Sequence, residues 1–308
     1  MAIVNVTLVG ATGDLGIEIL KALVAADTFT VTALQRASSK SSLPSHLKDK
    51  IRIQTIAPDF PLDELTARLR GQDALIVCYR TRDAQEQLKF GHAAVAAGTV
   101  QRLIPADFGS CDSSGQRERE LVKLFDRKVQ VRESLQELAE KHPAFSWTSL
   151  VNGHFFDWGL REGFLHFDLE GKKADIIGDG ETKSSQATLS QIGLATVRVL
   201  QKPEETKNRV LFIQSFCVSQ NDVLRSLEKA TGGGKWQITR YDPEEFIREK
   251  KERADGGDAD AIEDLVFVLG ALYGNWEEKS GFAMELLGLD NQNLDEVVQS
   301  VVDELGSA

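Results

Sequence analysis

Three glycines near the N-terminus have a spacing that suits a phosphate-binding loop. Gly10, Gly13 and Gly16 lie in the segment LVGATGDLG, directly after an apolar run and at the start of a helical pattern. Glycines allow the backbone to approach a pyrophosphate closely, and the first turn of a helix offers free N–H donors and a favourable dipole. We therefore predict a dinucleotide site formed by Gly10, Thr12, Gly13, Asp14, Leu15 and Gly16. The alternative is a purely structural turn, and the spacing departs from the common G-x-G-x-x-G fingerprint.

The residues that follow the second predicted strand indicate which dinucleotide binds. An NAD-selective site usually has Asp or Glu there to hold the ribose 2′-hydroxyl. This strand ends ALQR, so Arg36 takes the place of the acid, and Ser38 and Lys40 follow closely. A guanidinium binds a 2′-phosphate bidentately, whereas a carboxylate would repel it. The pattern favours NADP(H) as the cofactor, the alternative being that Arg36 is an ordinary solvated charge.

Cysteine and histidine show no metal-binding pattern. The three cysteines, Cys78, Cys111 and Cys217, form no C-x-x-C pair, so we expect neither a disulfide framework nor a cysteine zinc site. The five histidines lack H-x-x-x-H or a related ligand spacing. We therefore assign no metal.

Composition narrows the class of protein and its partners. The chain has 308 residues, 42% of them hydrophobic, which is enough for a large core. Its net charge of −11 argues against a nucleic-acid partner, which needs clustered Lys and Arg. No apolar run reaches the ~18–20 residues that span a bilayer. The opening MAIVNVTLVG has the pattern of a buried strand rather than a signal peptide. We expect a cytoplasmic monomer or homodimer without nucleic-acid or membrane partners.

The elements that position the loop follow the alternation typical of βαβ units. Short apolar runs predict strands at 3–9, 29–34, 51–56, 74–77, 103–105 and 148–151. Amphipathic stretches between them predict helices at 15–25, 62–69, 84–97 and about 118–140. Nearly continuous apolar strands are expected when helices cover both faces of a sheet. We therefore predict a Rossmann-type, doubly wound parallel sheet in an NADP-binding domain over residues 1–153.

The second half of the chain has a different rhythm. Glycines punctuate residues 159–180, and a helical tail broken by ADGGDAD covers 243–287. We predict a smaller, mixed α/β substrate-binding part over residues 154–308. A strand near 210–215 is expected to return to the main sheet.

Several of these segments together resemble a known family. GATGDLG, Arg36 and RLIPADFG at 102–109 resemble the isoflavone reductase-like and NmrA-like branch of atypical short-chain dehydrogenases, in which Ser is common at the position of Ala106. The resemblance is strongest before residue 155 and continues through IIGDGETK and QIGLATVRVL. It implies NADP(H) binding, and the reductases among the members act on benzylic, phenolic or conjugated carbonyl and ether substrates.

The resemblance also implies a catalytic residue. The ordinary Tyr-x-x-x-Lys arrangement is missing, because no lysine follows four residues after Tyr79, Tyr241 or Tyr273. Isoflavone reductase-like enzymes use a lysine in a Phe-x-x-Lys-x-x-Val-Arg pattern, which this chain matches with Phe125, Lys128, Val131 and Arg132. Lys128 is therefore expected to contact the cofactor and transfer a proton, helped by desolvation that brings its pKa toward the working range. The alternative is a solvated helix face.

Further candidates surround these residues. Asp59 matches a family acid near the adenine, and Tyr79 and Arg80 end the fourth strand, where ligands sit in open α/β sheets. On the substrate side we single out Phe108, Asn152, His154, Phe155 and Phe156. With Trp158 and Phe164 nearby, they predict an aromatic-lined pocket for a small planar aromatic substrate. His154 has the alternative of being a packed, hydrogen-bonded residue.

These features favour an NADPH-dependent reductase of a small aromatic or polyketide-like molecule, with Lys128 as general acid or base. One alternative is a non-catalytic NADP-binding redox sensor of the NmrA type, for which a proton donor at Lys128 would have no use. Another is a dehydratase or isomerase on the same fold that uses Lys128 as a base alone.

Overall fold

The computed structural model describes residues 2–79 and 83–306, which form a seven-stranded parallel sheet covered by helices and two smaller three-stranded sheets. Arg80 lies outside the described residues. The strands are β1 (Asn5–Val9), β2 (Thr30–Arg36), β3 (Arg52–Ile56), β4 (Ala74–Val77), β5 (Arg102–Ile104), β6 (Ser146–Val151), β7 (His154–Phe155), β8 (Phe167–Asp168), β9 (Lys173–Ile177), β10 (Lys183–Ala187), β11 (Arg209–Phe212), β12 (Phe216–Ser219) and β13 (Gln237–Tyr241).

Helices fill most of the connections between the strands. They are α1 (Asp14–Ala25), α2 (Ser45–Lys48), α3 (Leu62–Leu69), α4 (Ala84–Ala97), α5 (Gln116–Leu121), α6 (Lys123–Lys141), α7 (Phe156–Arg161), α8 (Leu189–Gln201), α9 (Gln220–Ala230), α10 (Pro243–Asp255), α11 (Ala259–Tyr273), α12 (Met284–Leu287) and α13 (Leu294–Gly306). None of the helices in residues 2–79 and 83–306 combines the length and apolar character that crossing a membrane requires.

The main sheet has the strand order β11-β6-β5-β4-β1-β2-β3. All its neighbouring pairs run parallel, which confirms the predicted doubly wound sheet. The chain proceeds outward from β1 in one direction to β3, then returns to β4 on the other side of β1. That reversal creates the crevice outside the carboxyl ends of β1 and β4, where ligands bind in this class of fold.

Two helical layers bury the faces of the sheet. α1 and α8 pack together on one face, where Ile19, Leu20 and Ile192 are fully buried. α3, α4 and α6 pack on the other face, around Leu65, Phe90 and Leu135. Because strands sandwiched in this way are buried on both sides, their continuous apolar sequence follows directly from the architecture.

The second half of the chain contributes to both parts of the fold. β11 pairs in parallel with β6 and so forms an edge of the main sheet. The small sheets have the orders β12-β10-β7 and β13-β9-β8, and they share a core with α9, α10, α11 and α13. The division into domains at residue 153 stays a prediction.

The predicted helix over 118–140 is divided in two. Val122 ends α5 and precedes α6 with extended dihedral angles, φ −132° and ψ 109°. Its side chain is buried in the same apolar cluster as Phe125. Helical periodicity alone does not reveal the interruption, because Val122 and Phe125, three positions apart, would also lie on one face of a continuous helix.

Candidate active site

A cavity of about 930 Å³ lies at the carboxyl edge of the main sheet. Its walls come from the β1–α1 loop, the ends of β2 and β4, the segment after β5, the start of α6 and the segment after β6. Residues of α10 and α11 also line it. The cavity therefore brings the predicted cofactor residues and several predicted substrate residues into one continuous space.

The phosphate loop is shaped by its glycines. Gly10 has φ +89°, and a Cβ added there would lie 2.7 Å from the carbonyl oxygen of Cys78. A Cβ on Gly16 would lie 2.0 Å from the carbonyl oxygen of Gly10, so Gly16 permits the close approach of α1 to β1. Gly13 donates its backbone N–H to Gly10 at 3.1 Å and is the N-cap of α1. No side chain in the described residues caps this end of α1, so its first-turn N–H groups face the cavity without one.

The residues of the phosphate loop differ in whether they line the cavity. Gly10, Thr12, Gly13, Asp14 and Leu15 line the cavity. Gly16 is buried one residue deeper, where it serves packing rather than contact.

Arg36 lines the cavity at the end of β2. Its guanidinium carbon lies 5.8 Å from the centre of the Tyr79 ring, which stacks on Phe60 at 5.8 Å. Ser39 and Ser41 also line the wall, while Ser38 and Lys40 do not. Asp59, the predicted match to the family acid near the adenine, does not reach the cavity. Its neighbour Phe60 does, and sequence reasoning missed it.

Tyr79 belongs to this aromatic group at the end of β4. Burial, reinforced by nearby Glu86, raises the pKa of its phenol well above the ordinary range. The phenol therefore stays protonated at neutral pH.

Lys128 lies in the wall of the cavity, with its side chain 10% exposed. Its Nζ donates a hydrogen bond to the backbone carbonyl of Asp107 and lies 3.9 Å from the Oδ1 of the same residue. The Phe125 ring centre is 5.9 Å away. Burial lowers the pKa of Lys128, and the charge of Asp107 partly opposes that shift. A lysine in these surroundings can act as a general acid or base.

Sequence reasoning missed the charges that surround Lys128. Asp107 is 4% exposed and accepts a hydrogen bond from Arg132 Nε at 2.5 Å. Arg132 Nη1 lies 3.6 Å from Asp112, which also contacts Lys279. Two signals were available, since Asp107 lies three residues after the end of β5 and Arg132 ends the lysine pattern.

The substrate side is aromatic, as the sequence predicts. Phe108, His154 and Phe155 line the cavity, together with Trp158 and Phe164. His154 Nε2 lies 3.1 Å from the carbonyl oxygen of Phe267, and burial lowers the His154 pKa to about 4.

Two predicted substrate residues point elsewhere. Phe156 is fully buried and packs edge-on against Phe216, with ring centres 4.6 Å apart. Asn152 is buried too, and its side-chain amide donates to the carbonyl of Gly153 at 2.8 Å. Neither lines the cavity, because each belongs to the packing that positions its neighbours.

The contribution of α10 and α11 to the cavity wall was not predicted. Lys251 and Ala254 of α10 and Ile262, Glu263 and Val266 of α11 line the cavity. These helices come more than 90 positions after the lysine pattern, and their amphipathic sequence does not indicate which surface they cover.

Comparison with known proteins gives a consistent result. The NmrA-like family profile matches residues 4–242. The chain is 35% identical over 302 residues to the oxidoreductase aprR of Aspergillus flavus, covering 97% of this chain and 99% of that protein. It is 30% identical over 303 residues to the oxidoreductase poxI of Penicillium oxalicum, covering 95% and 92%.

Solved structures share the fold at lower identity. An isoflavone reductase superposes with a TM-score of 0.77 at 22% identity, covering 96% of this chain and 98% of that one. A ternary complex of leucoanthocyanidin reductase from Vitis vinifera gives 0.78 at 16% identity, covering 97% and 99%. With a family match over most of the chain and relatives that align along almost their whole length, the chain is an oxidoreductase of the NmrA-like family.

Proposed function

We propose that this oxidoreductase uses NADPH to reduce a small aromatic or polyketide-like molecule, with Lys128 as the general acid or base. The observation that carries the proposal is the position of the Lys128 ammonium, which is desolvated in the wall of the same cavity into which the phosphate loop opens. A proton-transferring group and a dinucleotide loop share one space.

The residues at the sheet edge fit NADP(H). The uncapped first turn of α1 offers N–H donors to a pyrophosphate. Gly13 borders open space, since a Cβ added there would lie no closer than 3.6 Å to any other protein atom, and a phosphate can approach the backbone on that side. Arg36 supplies a planar guanidinium for a 2′-phosphate. Among the structural relatives, one was solved with NADP+ and (+)-pinoresinol, and a leucoanthocyanidin reductase was solved with NADPH.

NADPH, when bound, supplies the hydride, and the protein must provide the matching proton. The Lys128 ammonium donates one N–H to the backbone carbonyl of Asp107. We propose that it transfers a proton to a substrate oxygen in the cavity. Because burial disfavours the ammonium, release of that proton near neutral pH is easier than from an exposed lysine.

The aromatic walls support the proposed substrate class. Phe155, Trp158 and Phe164 line the same cavity as Lys128. Trp158 lies 6.4 Å from Phe155 and 5.7 Å from Phe164, measured between ring centres. Such rings favour planar, apolar ligands and exclude water. Isoeugenol synthase 1 of Petunia hybrida, 25% identical over 251 residues, is named for an aromatic product.

The test begins with fluorescence titration of the protein with NADPH. A second step incubates the complex with NADPH deuterated at the transferable position and a panel of aromatic enones and quinones. We expect deuterium in at least one product, and its formation should require intact Lys128. Tight NADPH binding with no transfer to any member of the panel would favour a redox sensor instead.

A further inference from the structure

A line of alternating charges runs from Lys128 through the buried Asp107 and Arg132 to Asp112 and the partly exposed Lys279. Arg132 Nε lies 2.5 Å from the Oδ2 of Asp107, and Arg132 Nη1 lies 3.6 Å from the Oδ1 of Asp112. Lys279, beyond α11, contacts the other oxygen of Asp112. The two carboxylates come from the segment after β5, and Arg132 comes from α6, one turn beyond Lys128. Of these charged residues, Lys128 and Asp107 line the cavity, and Arg132, Asp112 and Lys279 do not.

The two oxygens of Asp107 are used unequally. Oδ2 accepts the short hydrogen bond from Arg132, whereas Oδ1 has no hydrogen-bond partner in the described residues. Lys128 Nζ is 3.9 Å from that Oδ1, beyond hydrogen-bonding distance, and donates instead to the backbone carbonyl of Asp107. The Asp107 carboxylate therefore forms its hydrogen bond with Arg132 and not with Lys128.

We infer that Arg132 and Asp107 are positioning residues for Lys128, in which Arg132 holds the Asp107 carboxylate back from the ammonium and so leaves Lys128 able to release its proton. The inference rests on the proposed function, which makes Lys128 the proton-transferring group. Neither positioning residue needs to touch the substrate.

The charge balance around Lys128 supports this role. A carboxylate at contact distance favours the ammonium and would raise the pKa of Lys128, whereas a nearby guanidinium lowers it. Burial and Arg132 both lower the pKa of Lys128, and Asp107 raises it. Cys111 also faces Lys128, but burial raises the pKa of its thiol, so it adds no charge at neutral pH.

The alternative is that the ion pairs only fasten the segment after β5 to α6. A fastening role predicts lower stability after substitution but an unchanged ionisation of Lys128. The positioning role predicts that the ionisation of Lys128 moves, in a direction set by which charge is removed.

Competitive acetylation separates the two. The protein is treated with acetic anhydride from about pH 6 to about pH 11, a range that spans the ordinary lysine pKa, and labelling of Lys128 is read by peptide mass spectrometry. In Arg132→Met the midpoint should rise by about one pH unit or more, since Asp107 is released to pair with Lys128. In Asp107→Asn it should fall, and in the double variant it should lie between the two. Arg225→Met, which breaks an exposed ion pair with Asp222, should leave it unchanged.

An unchanged midpoint in folded Asp107→Asn, which keeps the shape of the side chain, would overturn the inference even if Arg132→Met fails to fold. Near-UV circular dichroism checks folding of each variant. The labelling needs neither cofactor nor substrate, so an absence of hydride transfer would refute the proposed function without affecting this result.

Discussion

The imidazole of His154 stacks on Phe267, and its Nε2 lies 3.1 Å from the carbonyl oxygen of that same residue. The geometry assigns the proton to Nε2, because a carbonyl oxygen can only accept. A Cβ on Gly270 would lie 2.3 Å from Nε2, so the glycine is what makes room for the ring. His166 stacks on the same Phe267 ring at 4.2 Å and lies between two carboxylates. The Phe267 ring thus contacts two histidines whose pKa values are shifted in opposite directions, that of His154 downward by burial and that of His166 upward by carboxylates.

His154 should make folding stability fall in acid. Burial lowers its folded-state pKa to about 4 from 6.5, so between those values the unfolded chain binds more protons than the folded protein. The contribution is complete above about pH 6.5 and is lost as the pH falls toward 4. Urea unfolding of His154→Gln against the parent protein should show a difference that shrinks across this window. A constant difference would mean that His154 already titrates normally.

His166 should act in the opposite direction. Burial alone would lower the pKa of His166, but two carboxylates raise it above 6.5: Asp264, whose Oδ1 lies 3.1 Å from Nε2, and Asp175, whose Oδ2 lies 3.8 Å from Nδ1. Its stabilising contribution is therefore complete below about pH 6.5 and is lost as the pH rises through the folded-state pKa. His166→Gln should be most destabilising at the acid end of the range and least at the alkaline end. Equal destabilisation at both ends would show that the pKa of His166 is the same in the folded protein and in the unfolded chain.

Arg36 should set the cofactor preference. NADPH is expected to bind at least tenfold more tightly than NADH, a difference of about 1.4 kcal/mol. Arg36→Glu should reverse or abolish this preference, since a carboxylate repels the 2′-phosphate. Fluorescence titration measures both affinities, and Arg68→Gln, which breaks an exposed pair with Glu64, is the control. Equal affinities in the unaltered protein would contradict the prediction.

Gly13 and Gly16 should separate cofactor binding from folding. In Gly13→Ala the new Cβ meets no protein atom closer than 3.6 Å, so the cost to stability should be about 0.5–1 kcal/mol, the loss expected at an N-cap. NADPH affinity should nevertheless fall at least tenfold, about 1.4 kcal/mol, because the methyl group occupies the path of the phosphates. Gly16→Ala should instead destabilise the apoprotein by about 1–3 kcal/mol, since its Cβ would overlap the Gly10 carbonyl. Thermal unfolding and NADPH titration of both variants provide the comparison.

Lys128 should be required for turnover and not for cofactor affinity. Lys128→Ala is expected to lower kcat by on the order of 10²–10⁴. Lys128→Arg should be almost as damaging, because a guanidinium does not release its proton near neutral pH. Lys141→Ala on the exposed end of the same helix is the control. Weakened NADPH binding with normal turnover at saturation would reassign Lys128 to binding.

The sheet could be predicted from sequence because its signals are local. β4 and the helices α3 and α4 have the predicted bounds, and the ends of α4 carry Asp83 as N-cap and Gly98 in a left-handed conformation. Caps and apolar runs of this kind are set by neighbouring residues. The family resemblance, the fold class and the enzyme class are confirmed.

The site was harder to predict because it depends on residues far apart in sequence. Asn152 and Phe156 flank His154 and Phe155 in the chain, yet both are fully buried and neither lines the cavity. The unequal use of the Asp107 oxygens depends on Arg132, 25 positions away on another element. No periodicity in the sequence reports such a pairing.

Because β11 returns to the main sheet, the two halves of the chain cannot be exchanged independently of each other. A chain ending at residue 153 would leave β6 as a bare edge and remove α8 from the face of α1. α1 and α8 pack closely at Gly193, since a Cβ there would lie 2.7 Å from the carbonyl oxygen of Glu18. Replacing residues 154–308 by the matching part of a relative would disrupt both the β6–β11 pairing and the α1–α8 packing. The cavity-lining residues of α10 and α11 belong to neither interface, so they can be substituted without disturbing the β6–β11 pairing or the α1–α8 packing.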